Sequence, residues 1–113
     1  MYMLQVRFNG AGEAVARMAE PDQQAIFAEY AAVGRQPEIV HANQLQGAET
    51  AVTVQVADGR TVASTGVPVE VADALDGYYL LDAPDLDAAV SLAARIPAAR
   101  LGGTVEIRPV FER

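Results

Sequence analysis

Apolar residues recur along this chain with two periods, and the switches between them mark out the elements. At the start, Tyr2, Leu4, Val6 and Phe8 fall on one parity and Met3, Gln5 and Arg7 on the other, the pattern of a strand with one apolar face. Asn9-Gly10-Ala11-Gly12 ends it, and Glu13 to Glu20 suits a loose helical turn. Pro21 and Asp22 then open a helix: proline's missing N–H costs nothing in the first turn, and a carboxylate favours the positive end of the dipole. Ile26, Phe27, Tyr30 and Val33 mark its expected buried face, Gly34 closes it, and Pro37 prevents continuation. Glu38 to Gln46 reads as extended, with Ile39, His41, Asn43 and Leu45 on one side.

In the second half, Val52, Val54 and Val56 alternate with Thr53 and Gln55, Asp58-Gly59 tolerates a left-handed turn, and Thr61 to Ser64 run back as a hairpin. Gly66 and Pro68 break the pattern, and Glu70 to Leu75 leave room for one helical turn. The run Gly77-Tyr78-Tyr79-Leu80-Leu81-Asp82 is nearly all apolar, which predicts a strand buried on both faces near the middle of a sheet. A helix follows from Asp85, a candidate N-cap, to Arg95, with Leu86, Ala89, Val90, Ala93 and Ile96 at helical spacing and Pro97 to stop it. Gly102-Gly103 bends the chain into a last strand from Thr104 to Phe111, with Pro109 fitting best near its end. Two strand–helix–strand units flanking a hairpin predict an α+β fold: a ferredoxin-like sandwich with a β-hairpin insertion, as a single domain over residues 1–113.

Both helices of such a sandwich cover one face of the sheet. If Leu4, Val6, Val105 and Ile107 point toward them, then Met3, Gln5, Arg7, Glu106, Arg108 and Val110 line the open side, joined by a large side chain from the apolar central strand. An apolar strip on an open sheet face predicts a homodimer with that face as its interface.

Composition narrows the function classes. Eight basic against fifteen acidic residues give a net charge of −7, so a phosphate backbone is repelled and nucleic acid is not an expected partner. The absence of cysteine excludes disulfides, thiol nucleophiles and thiolate metal sites. Nothing approaches eighteen apolar residues in a row, and the N-terminus alternates instead of forming an apolar core, so no membrane partner is expected and the location read from the sequence is cytoplasmic.

Candidate chemistry is sparse. His41 is the only histidine, a candidate general base or binding donor, with Asn43 two residues on and therefore on the same face; the plainer alternative is a hydrogen-bonded sheet residue. Glu70 is a candidate carboxylate for pairing with Arg7 or Arg108, or else a solvated loop charge. Of Tyr78 and Tyr79, neighbours that face opposite ways, Tyr79 is taken as the pocket candidate and at least one of the two as core. One histidine and scattered carboxylates predict no metal site, Gly102-Gly103 lacks the helix that a phosphate loop needs, and no cofactor is implied.

Several strings, namely Tyr2-Met3-Leu4, Gln44-Leu45-Gln46, Thr53-Val54, Asp58-Gly59-Arg60, Gly77-Tyr78-Tyr79-Leu80 and the long segment from Ala93 to Pro109, together resemble the YCII-related family in its D-G-P-F branch. The resemblance implies a dimeric α+β barrel of ferredoxin-like subunits with no settled activity; some relatives are encoded beside alternative sigma factors, and others act as small lyases or dehalogenases. Where the branch reads Asp-Gly-Pro-Phe, two residues before Glu and then Thr-Lys-Glu, this chain has Thr65-Gly66-Val67-Pro68, Val69-Glu70 and Val71-Ala72-Asp73, keeping only Gly66 and Glu70 identical. His41-Ala42-Asn43 stands where the branch commonly has Gly-Gly-Glu. The expected function is a non-catalytic homodimeric protein that binds a small molecule or assists a partner, with association to a sigma factor among the implied roles. The rival is a cofactor-free lyase or isomerase in which His41 carries a proton and Arg7 or Arg108 steadies an anion.

Overall fold

A computed structural model describes residues 1–112, with the side chain of Ala72 excepted; Ala72, where the resemblance would place a lysine, and Arg113 therefore lie outside the described part. In chain order the elements are β1 (Tyr2–Arg7), α1 (Ala11–Ala16), α2 (Glu20–Gly34), β2 (Ile39–Gln44), β3 (Val52–Ala57), β4 (Arg60–Thr65), β5 (Gly77–Leu81), α3 (Leu86–Ala93) and β6 (Thr104–Pro109), with short 3₁₀ turns between some of them. Four strands form one antiparallel sheet in the order β2-β5-β1-β6, and β3 and β4 form a separate two-stranded sheet. This mixed α+β arrangement is compatible with a ferredoxin-like sandwich.

The core is the layer between the four-stranded sheet and its helices. Leu4 and Val6 from β1 and Tyr79 and Leu81 from β5 meet Val33 of α2 and Ala89, Leu92, Ala93 and Ile96 of the α3 segment. Leu4, Leu81 and Ile96 are wholly buried, each worth about 1.5–3 kcal/mol of transfer free energy. Val105 and Ile107 pack on the same side, as their parity requires.

Three expectations change on contact with the tertiary structure. The central strand is buried on one face only: Gly77, Tyr79 and Leu81 are buried, while Tyr78 and Leu80 are half-buried on the open side. In α3 the stripe against the sheet is Ala89, Leu92 and Ala93, and Leu86 and Val90 are exposed; the two small alanines let the helix approach the sheet closely. In α2, Ile26 and Val33 are buried, but Phe27 is 52% exposed at the edge of the layer. Helix starts differ by a residue or two. Helix α1 begins at Ala11 rather than near Glu13, and α2 starts at Glu20 with Pro21 in its first turn. At α3, Asp85 caps the helix as read, its carboxylate accepting from the Ala88 amide at 2.8 Å.

Two glycines are dictated by backbone position. Asp58 and Gly59 both take positive φ, 51° and 74°, and close β3–β4 with the turn that matches strand twist. A Cβ on Gly103 would lie 2.7 Å from the carbonyl oxygen of Phe8 and 3.0 Å from that of Ala98, so only glycine lets the start of β6 pass between β1 and the preceding turn.

Candidate functional site

The sheet divides the candidate residues between two surfaces. A β-bulge in β2 is the cause: Ile39 lies opposite Leu81, but His41 lies opposite Leu80, so the pairing shifts at Val40. Ile39 thus packs against the core, while His41 and Asn43 turn to the open face. A bulge inserts one unpaired residue and swaps the parity beyond it, which the alternation of side chains alone could not reveal.

On the open face, Tyr78 Oη and His41 Nδ1 are 2.8 Å apart in a hydrogen bond, the phenol donating when that nitrogen is bare, and the rings stack at 5.7 Å. Asn43 pairs with Tyr78 across the strands. Gln5 lies between Tyr78 and Glu106, its Oε1 shut from solvent with no protein donor in reach among the described residues. Arg7 donates through Nε to the Asp73 carbonyl at 3.1 Å and stands 3.9 Å from Glu106. Arg108 lies opposite Met3 on the same face. Glu70 is exposed just before the 3₁₀ turn Val71–Asp73, and among the described residues no ion pair joins it to Arg7 or Arg108.

Behind the sheet, Tyr79 belongs to a cleft of about 720 Å³. Its helical wall is α1 and α2, with Val15, Phe27 and Tyr30 prominent, and Ala42–Gln44 of β2 and Gly77–Tyr79 of β5 form its sheet wall. Phe8 sets an edge against the ring of Tyr30 at 6.2 Å. Tyr79 Oη donates to the Tyr30 carbonyl at 3.1 Å, and Gln23 Nε2 donates to the Met18 carbonyl at 3.0 Å. Burial, with a contribution from neighbouring Tyr30, pushes the Tyr79 phenol up to about 12, and burial also raises that of Tyr30. Among the described residues no charged one lines the cleft.

Of the six residues singled out by sequence, the structure therefore brings Arg7, His41, Asn43 and Arg108 to the open face, with Asn43 also in the sheet wall of the cleft, leaves Glu70 on a connection, and places Tyr79 in the cleft. Sequence reasoning missed Phe8, Val15 and Phe27 as cleft residues, because each fits a core face by spacing and only the gap between α1, α2 and β2 exposes it. It also missed Asp76, whose Oδ2 accepts from the Phe8 amide at 2.7 Å and whose backbone bonds to Val6 and Leu45, tying β1, β2 and β5 together at one end. Among the described residues no three His, Asp or Glu side chains are grouped to hold a metal ion, and no helix is long and apolar enough to cross a membrane.

A search of the curated proteins finds no match to this chain. The family model of the YCII-related domain matches residues 10–113, which take in all three α-helices and every strand after β1, and the chain accordingly belongs to the YCII-related domain family.

Proposed function

We propose that this chain is a homodimeric binding protein that holds a small, uncharged, mainly apolar molecule in the cleft behind the sheet, in an accessory or regulatory role. The observation that carries the reading is the lining: a space of about 720 Å³ with no charged residue on its walls among the described residues. That volume is typical of small-molecule sites, which run from about 300 to 1,000 Å³. An ionised ligand would lose its water there without gaining a partner. Tyr79, already bonded and with its phenol pushed up to about 12, is a poor proton donor or acceptor near neutrality, which favours binding over catalysis.

The dimer belongs to the same proposal. Met3, Tyr78 and Leu80 form an apolar strip on the open face beside Arg7, Glu106 and Arg108, and a two-fold axis would set an arginine of one copy against the glutamate of the other. Two sheets paired this way make the dimeric α+β barrel that the resemblance implies. Membership of the D-G-P-F branch, and a role beside an alternative sigma factor, rest on that resemblance and are tested by co-purification with such a factor.

Thermal denaturation with naphthalene, 1-naphthol and 1-naphthoate tests the cleft. The two neutral compounds are expected to raise the Tm and the carboxylate to leave it unchanged, and Ala16→Trp, which fills the cleft from the exposed side of α1, is expected to remove the shift. Equal shifts with the carboxylate, or none with either neutral compound, would refute the reading.

A second reading has one observation in its favour. The Tyr78 hydroxyl fixes the His41 ring, as a proton carrier in a cofactor-free lyase or isomerase requires. Turnover of a bound compound that disappears in His41→Ala and survives in Tyr79→Phe would establish this reading in place of the first.

A further inference from the structure

The β3–β4 arm carries an apolar face with nothing of its own chain beneath it. Its register sets Val52, Val54 and Val56 with Thr61, Ala63 and Thr65 on one face, and Thr53, Gln55 and Ala57 with Arg60, Val62 and Ser64 on the other. The three valines of the first face are 64%, 60% and 70% exposed. One apolar and one largely polar face is the pattern of antiparallel strands packed on a single side, and a free two-stranded ribbon is at best marginally stable in water. The two strands are clipped to each other at the base of the arm: Gly66 N–H donates to the Ala51 carbonyl at 2.8 Å, and Thr53 Oγ1 to the Gly66 carbonyl at 2.6 Å.

We infer that this valine ridge docks on a second copy of the same chain, as an arm that reaches across the two-fold axis of the dimer. The inference rests on the homodimer proposed above and adds a surface to it. Charge selects the occupant. Two copies at −7 each repel, so the faces that meet must add no unpaired carboxylates, and none of the fifteen acidic residues lies on the ridge. Area points the same way. Four strands about 4.8 Å apart and six residues long at about 3.4 Å each give the open face a flat footprint of about 400 Å². The arm, at about 10 by 20 Å, adds half as much again. The ridge thus enlarges the apolar surface that two copies can bury beyond the sheet alone.

Two substitutions with the same charge change separate the faces of the arm: Val54→Glu on the ridge and Gln55→Glu on its back. Both positions are exposed, so circular dichroism is expected to show the wild-type fold in each. Sedimentation equilibrium is expected to show a dimer for the wild type and for Gln55→Glu, with dissociation of Val54→Glu raised tenfold or more. Because the chain has no cysteine, Val54→Cys carrying a benzophenone maleimide gives a single photo-crosslinker. It is expected to yield a covalent dimer on irradiation, and the same label at Gln55→Cys is not. A wild-type dimer in which Val54→Glu associates as tightly as Gln55→Glu, with no crosslinked dimer, overturns the arm and leaves the open-face homodimer standing. A wild type that is monomeric at all concentrations overturns both.

Discussion

Tyr79 shows how a single side chain couples core and cleft. Its ring is buried in the cluster that holds Leu4, Val33 and Leu81, and its hydroxyl donates to the Tyr30 carbonyl. Burial holds the phenol protonated up to about 12, above the usual 10 of an unfolded chain. Between those values the folded chain keeps a proton that the unfolded chain loses, so this contribution to stability is complete below pH 10 and is lost as the pH rises toward 12. Tyr79→Phe is expected to flatten that decline, leaving the part due to Tyr30, and to cost about 0.5–1.5 kcal/mol near neutrality for the lost hydrogen bond. Urea denaturation of both proteins at neutral and alkaline pH checks it. Gly103 illustrates a different constraint, since its φ is ordinary and its neighbours are fixed backbone oxygens. Gly103→Ala is expected to destabilise by about 1–3 kcal/mol, whereas Gly12→Ala, with open space around the added methyl, is expected to be neutral or stabilising; thermal melts of the pair give the comparison.

Among the elements, α3 was the most legible. Its cap, its apolar spacing and the proline after it are all local signals, and Asp85→Ala is expected to cost about 1 kcal/mol while Asp85→Asn retains most of the cap, both read from chemical denaturation. Its rotation was not legible, because Leu86 and Ala89 satisfy the same spacing and only the approach of the sheet decides which is buried. Strand β2, read as Glu38 to Gln46, spans Ile39–Gln44, and while His41 and Asn43 share a face as read, Ile39 lies on the other. The bulge at Val40 places Ile39 and His41 on opposite sides, and no turn residue in Ile39-Val40-His41 announces it. The hairpin strands were legible from alternation and Asp58-Gly59, but alternation tells only that one face is apolar, not what covers it.

Taken whole, the molecule measures 49 × 40 × 18 Å, one sheet deep with helices on a single face and an arm to the side. Its radius of gyration is 16.0 Å, against about 13 Å for a compact domain of this length. The excess comes from surface that this chain does not fold back on itself. We expect sedimentation at micromolar concentration to give a mass of twice 11.9 kDa; a mass that stays at one chain as concentration rises would remove the homodimer.

Amino-acid order alone determined the elements whose signals are local: alternation for the strands, helical spacing with its caps and prolines, and a turn pair that needs positive φ. It also determined what the chain is poor in, since a count of one histidine and no cysteine needs no geometry. Only the tertiary structure decided which residues share a surface. The bulge in β2, the close seat of α3 and the gap between α1, α2 and the sheet arise from contacts between segments far apart in the chain. Those contacts put Tyr78 on His41 across 37 positions and Tyr79 on Tyr30 across 49, and so divided the candidate residues between an open face and a cleft.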